Sequence, residues 1–144
     1  MAINTQRQRG VTLIELVIVV TIVGILGSIA LGSYRQYMLR SNRSDAVATL
    51  QQIAVAQEKF FLQNGRFAGS LIEVAAAPPA GLGVQLGASN TSPRGTYAIS
   101  IAAAVTTFTA TATAAGTQAQ DTACGVFTLN ESGARTPALS ARCW

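Results

Sequence analysis

Glu15 stands inside Val11–Leu31, a run of 21 residues in which it is the one ionisable side chain. An acid in such a place needs a reason. On the insertion scale a charge at bilayer midplane costs about 2.5–3.5 kcal/mol, and less near the end of a span. Cleavage after Gly10 would put a new amine on Val11, four residues before Glu15. Residues i and i+4 share a helix face, so that amine and the carboxylate could pair within the chain. A helix N-terminus also favours a carboxylate. The same two charges could pair between neighbouring subunits.

Other reactive groups are few. There is no histidine, which removes Ser-His-Asp triads, histidine zinc sites and imidazole acid–base work. Cys124 and Cys143 are too few for a zinc site without histidine. Near the C-terminus only Asp121 and Glu131 are acidic, a poor calcium set. GLGVQLG (81–87) is not followed by Lys-Ser/Thr, so it does not read as a phosphate loop. We expect no catalytic group, cofactor or metal.

The apolar run must position Glu15. Residues 16–31, LVIVVTIVGILGSIAL, carry no charge, and 21 residues of helix from Val11 span about 31 Å, the thickness of a bilayer's hydrocarbon core. The segment is apolar all round, and the remaining chain is too short to enclose it. The whole chain of 144 residues suits one domain, with 49% apolar and only 11% charged residues and a mean hydropathy of +0.36. Ahead of the run lies MAINTQRQRG, with Arg7 and Arg9 and no acid. Basic flanks stay in the cytoplasm, so the remainder is expected outside. No A-x-A-like site follows the run, unlike an ordinary secretory signal.

Beyond the span there is no Gly or Pro from Ser33 to Asn64. Val47, Leu50, Ile53, Ala54, Phe60 and Phe61 recur at helical spacing, so the helix continues as an amphipathic half and stops at Asn64-Gly65. One helix from about Glu15 to Gln63 is expected. Residues 64–95 read as a long loop containing Pro78-Pro79, with a short helical turn over Ser70–Ala76. TYAISIA (96–102), TFTATATA (107–114) and GVFTLN (125–130) have strand character. Gly133 and Pro137 bound a turn, with a short fourth strand expected between it and Trp144. Helix first, then three or four antiparallel strands, is an α+β pattern in which the sheet covers the helix's apolar stripe.

Ten basic residues against six acids give +4, and removal of the first ten residues leaves eight against six, or +2. Arg35, Arg40 and Arg43 cluster past the span and read as a solvated helix face near headgroups or a neighbour's acid. Arg66, Arg94, Arg135 and Arg142 are scattered, a weak basis for phosphate contacts with nucleic acid.

A glycine, an apolar residue, T-L-I-E and about sixteen further apolar residues together resemble the class III signal of type IV prepilins. The likeness continues through Gly24, Tyr34 and Tyr37 in SYRQYMLRSNRSDA, and AQEKFFLQNGRFA, and resumes in DTACGVFTLNESGARTPALSARCW. The first 67 and last 24 residues carry it; the middle does not. The likeness is nearest to PilE-type minor pilins. It implies a type IV pilin fold divided into a leader (1–10), a transmembrane and filament-core helix (11–32) and a globular head (33–144). Gly10 is then the residue before the cut by the prepilin peptidase, Val11 the N-methylated mature terminus, and Glu15 the acid that neutralises the amine of an adjacent subunit. Cys124 and Cys143 match by position the bridge that closes the family's C-terminal D-region; two free thiols are the alternative. Two residues depart from the family pattern: Val11 replaces the usual Phe, and Gly32 a common Pro. The helix is instead weakened at Gly24, Gly27 and Gly32, each by about 1 kcal/mol relative to Ala.

The implied function is a structural, minor subunit of an extracellular filament for motility, adhesion or DNA uptake. Its partners are other pilin subunits, the peptidase, the inner-membrane assembly platform and, before assembly, the membrane itself; it moves from the inner membrane, N-terminus cytoplasmic, to the cell surface. A type II secretion pseudopilin, a DNA-binding pilin of a competence system, and a membrane-anchored enzyme or receptor are the alternatives. Gly10→Glu should leave full-length precursor in the membrane and none in fibres, because a small residue must fit the peptidase. A mature Val11 terminus in that variant, read by N-terminal sequencing, would refute the assignment.

Overall fold

The computed structural model describes residues 11–72, 81–137 and 143–144. Two compact units divide the chain after Tyr37. A single helix, α1 (Leu13–Asn64), contributes to both.

In the first unit, α1 is long and apolar enough to cross a membrane, and none of its apolar window is buried. Leu13, Ile18, Val23 and Ile29 are all more than half exposed. The helix runs unbroken through Gly24, Gly27 and Gly32, and a Cβ at any of the three would meet nothing. Its hydroxyls are satisfied locally: Thr21 Oγ1 donates to the Val17 carbonyl and Ser28 Oγ to the Ile25 carbonyl, each at 2.7 Å. A hydroxyl bonded to its own helix backbone carries no unmet polar group into an apolar surround.

In the second unit, α1 buries Ala46, Thr49, Leu50, Ile53, Gln57 and Phe60. These positions lie on one stripe of a 3.6-residue period. The stripe is centred slightly off the expected one: Val47, Ala54 and Phe61 are its half-buried margin, and two polar residues lie within it. Thr49 Oγ1 donates to the Asp45 carbonyl (2.7 Å). Gln57 pairs twice with the backbone of Ala68, its Nε2 donating to the carbonyl (2.7 Å) and its Oε1 accepting from the amide (2.9 Å). The helix ends where Gly65 takes φ +67° and its N–H bonds the Phe61 carbonyl at 2.8 Å, a left-handed C-terminal cap.

Four strands follow: β1 (Tyr97–Ala103), β2 (Phe108–Ala114), β3 (Val126–Asn130) and β4 (Arg135–Thr136), antiparallel in the order β1-β2-β3-β4. The first three lie within a residue of their expected bounds. The fourth precedes Pro137 rather than following a turn bounded by it. The tight turn is at Asn130–Gly133, where Gly133 N–H bonds the Asn130 carbonyl (3.0 Å) and Asn130 Oδ1 accepts from Ala134 (2.8 Å). Pro137 then ends the ladder, lacking a donor. Of the expected turn at 70–76, Ser70 instead bridges Gly81 as a β-pair, and 73–76 lie outside the described residues. Pro78 and Pro79 also lie outside them. Single 3-10 turns occur at Ala88–Asn90 and Gly116–Gln120.

Alternation sorts the sheet. Tyr97, Ile99, Phe108, Ala110, Ala112, Phe127 and Leu129 point into the core with Leu50 and Ile53. The opposite face carries small residues, including a row of paired hydroxyls: Ser100 opposite Thr111, Thr111 opposite Thr128, Thr128 opposite Thr136. Cys124 and Cys143 form a disulfide with Cα atoms 5.6 Å apart, and both are buried. Trp144 stacks edge-on against Phe127, which stacks against Tyr97.

Gln57→Leu preserves size and adds apolar surface, yet should destabilise the protein by about 1–3 kcal/mol, because it strands the buried Ala68 amide and carbonyl. Urea unfolding of the full chain in detergent, followed by Trp144 fluorescence, reads this; an unchanged midpoint would contradict it.

Candidate functional site

Two groups of residues carry chemistry, one in each unit. At the N-terminal end, Val11 and Glu15 are both exposed, with Glu15 in the first turn of α1. The helix begins with the Leu16 N–H on the Thr12 carbonyl (3.2 Å), and Thr12 Oγ1 accepts from the Glu15 N–H (3.3 Å). Gly10, on the other side of the expected cut, lies outside the described residues.

In the head, the helix and the segment leading to Cys124 are joined by a polar cluster. Arg43 Nε and Nη2 donate to Asp121 Oδ2 (2.7 Å) and Oδ1 (2.9 Å), a bidentate pair with side chains only 13% and 4% exposed. Gln118, fully buried, ties in the rest: its Nε2 lies within hydrogen-bond distance of the Leu39 carbonyl, Tyr97 Oη and Asp121 Oδ2, and its Oε1 accepts from Asn42 Nδ2 (3.0 Å). The hydrogen bond to Asp121 raises the Arg43 pKa above its ordinary value, with burial acting against it. Burial likewise pushes the Tyr97 phenol up, and its bond with Gln118 acts the other way. Among the described residues no buried side-chain nitrogen or oxygen lacks a partner.

This cluster changes the reading of the basic residues. Arg43 is not part of a solvated face with Arg35 and Arg40; it is held inside the head by Asp121. A pair 78 positions apart has no local signal. Asp121, weighed from sequence only as a calcium ligand, is committed to Arg43. Two further head acids bond the protein: Asp45 Oδ2 lies within reach of the Arg94 N–H (3.3 Å) and the Thr96 hydroxyl (3.4 Å), and Glu131 Oε2 accepts from the Phe108 N–H (3.1 Å), whereas Glu58 is exposed. Arg40, Lys59, Arg66, Arg94 and Arg135 remain exposed.

The scattered arginines stay scattered. Arg94 sits in the turn entering β1, while Arg135 lies on β4 at the opposite edge of the sheet, with its guanidinium 5.0 Å from the Trp144 ring centre. Arg66 follows the helix end, next to Phe67, whose N–H bonds Val105 at the β1–β2 hairpin. Arg142 lies outside the described residues. No three His, Cys, Asp or Glu side chains among the described residues gather to hold a metal.

Comparison with known proteins separates the same two regions. Residues 5–31 match the prokaryotic N-terminal methylation motif. Residues 32–128 match the family described as "Type IV minor pilin ComP, DNA uptake sequence receptor". The type IV major pilin protein PilA of Myxococcus xanthus is 41% identical over 75 residues, 52% of this chain and 34% of that protein. A fimbrial protein of Neisseria meningitidis serogroup B is 40% identical over 63 residues, 44% of this chain and 37% of that one. The matched stretch thus spans little more than a third of either relative's length. A solved type IV pilin from Shewanella oneidensis superposes with a TM-score of 0.52 at 25% identity, over 74% of this chain and 97% of that structure. A signal-type N-terminal helix, a four-stranded head closed by a C-terminal disulfide and a family match over two-thirds of the sequence agree: the chain belongs to the type IV pilin family.

Proposed function

We propose that this chain is a minor subunit of a type IV pilus, made as an inner-membrane precursor and assembled into a surface filament. The observation that carries this reading is the first unit of α1: a helix exposing apolar side chains on every face, with one exposed acid in its first turn. Such a surface is stable in lipid or among like helices, and nowhere else.

In this reading residues 1–10 are the leader, 11–32 the transmembrane and filament-core helix, and 33–144 the head. The prepilin peptidase cuts between Gly10 and Val11 and methylates the Val11 amine. The assembly platform then draws the helix from lipid into a bundle of neighbouring helices. Apolar burial is exchanged in that step rather than gained from water, so direction comes from the platform and from Glu15. Its carboxylate neutralises the amine of an adjacent subunit, which low dielectric strongly favours over two unpaired charges. In lipid no water replaces a broken backbone hydrogen bond, so the helix stays intact through Gly24, Gly27 and Gly32 before assembly. In the fibre, neighbouring chains can accept an extended segment there, where helix propensity is lowest.

Glu15→Leu should be cleaved after Gly10 and remain stable in the membrane, yet be absent from sheared fibres; Glu15→Gln should be intermediate. Were Glu15 paired only within its own chain, Glu15→Leu would assemble as well as wild type. Efficient recovery of processed Glu15→Leu protein in filaments overturns the intersubunit pair.

Participation of the head in DNA uptake is a second reading. It is favoured by the description of the family matched over residues 32–128 and by the exposure of Arg66, Arg94 and Arg135 on the head. Phosphate contacts make affinity fall with salt. The full chain in detergent should bind duplex DNA with a negative log–log salt slope, and replacing Arg94 or Arg135 with Ala should reduce that slope by about one each. No retardation of DNA at low salt by the wild-type chain would remove this reading.

A further inference from the structure

Residues 16–33 carry no ionisable side chain, and the helix is exposed all along them. Tyr34, Arg35 and Tyr37 follow at once and are exposed too, Tyr34 at 62% and Tyr37 at 68%. All lie in the first unit of α1. Two aromatic side chains so exposed contribute nothing to a core. Among the described residues neither phenol has a hydrogen-bond partner, and no acid pairs with Arg35; the salt bridge there joins Arg43 to Asp121. The one acid in this unit is Glu15, 20 positions before Arg35.

That spacing has a physical scale. A helix rises about 30 Å over such a stretch, the hydrocarbon thickness of a bilayer. Glu15 and Arg35 therefore stand one membrane core apart, each at an edge where water begins. Tyrosine is favoured at such an edge, because its ring lies among acyl chains while its hydroxyl reaches the headgroups. Arginine there lays its apolar stem along the chains and holds its guanidinium at headgroup level. A guanidinium without a protein acid needs an anion. A phospholipid surface presents one, the phosphate, which the guanidinium fork can take through two N–H groups at once. A carboxylate of a neighbouring subunit would satisfy the charge, but would leave both tyrosines and the spacing unexplained.

We propose that Tyr34, Arg35 and Tyr37 form a lipid-binding collar at the outer face of the inner membrane, with Arg35 holding a phospholipid phosphate. The inference rests on the membrane precursor proposed above. The collar fixes the depth of α1 before assembly. It keeps Glu15 at the opposite headgroup level, where a charge is tolerated, instead of letting it slide toward the midplane. Extraction into a fibre must break the phosphate contact, so the collar retains the precursor in lipid until the platform acts.

Solid-state NMR of the full chain tests it, in liposomes of phosphatidylethanolamine and phosphatidylglycerol washed free of inorganic phosphate. Lipid phosphorus should dephase the Arg35 Cζ signal. An aqueous gadolinium chelate should spare the amides of residues 16–33 and broaden those beyond Tyr34. In the triple variant Tyr34→Leu, Arg35→Leu, Tyr37→Leu the spared stretch should lengthen by about one turn, to Met38. Unchanged shifts in β1, β2 and β3 show that the head of that variant is intact. A wild-type Arg35 that lipid phosphorus does not dephase overturns the proposal. So does dephasing of Arg35 by the carboxylate carbons of a separately labelled copy in place of phosphorus, which assigns it to a neighbouring subunit. A triple variant whose spared stretch still ends at Ser33 overturns it as well. If the wild-type chain spares no amides within 16–33, the membrane precursor itself is refuted, a result distinct from a spared span whose Arg35 meets no phosphate.

Discussion

Leu50 and Ile53 have no exposed surface because the inner face of a four-stranded sheet lies over them. That burial is the constraint from which the head follows. A helix stripe of Ala46, Thr49, Leu50, Ile53, Gln57 and Phe60 leaves little room for large residues opposite it, and the central strand meets it with Ala110 and Ala112. Bulk is supplied at the flanks instead, by Phe108 and Phe127. Small residues in the middle and rings to either side let a backbone ladder approach a helix closely while still filling the volume between them. The disulfide and Trp144 extend the same core to the end of the chain: Cys143 is buried, and the Trp144 ring rests against Phe127.

Polar groups are built into this core with their partners. Gln57 imitates a strand edge for Ala68, and Gln118 holds helix, strand and C-terminal segment at one point. A buried amide with all its bonds made adds geometry that apolar contacts lack, because it accepts one arrangement only. The Arg43–Asp121 pair serves the same junction.

Much of this was legible in the sequence, and the boundary is physical. Periodicity located α1 to within two residues at the start and one at the end, and alternation located β1, β2 and β3, because those patterns report local burial. Thr49 and Gln57 were passed over in the buried stripe, since a polar residue signals solvent unless its partner is known, and the Gln57 partner is 11 positions away. Arg43 was assigned to the wrong surroundings for the same reason, with its acid 78 positions distant. The two-residue strand β4 is too short to show a period. The Thr12 cap went unread as well, although the spacing T-x-x-E carries a signal for it.

The hydroxyl row from Ser100 to Thr136 has an evolutionary consequence. On β1 to β3 the inward positions are fixed by the packed helix, while the outward ones bear only short side chains against solvent. A mutation on the outer face changes neither volume nor pairing inside. Nearly half of the sheet is thus free to drift in sequence at little thermodynamic penalty, so lineages of this protein can alter what their surface displays while the architecture beneath stays still.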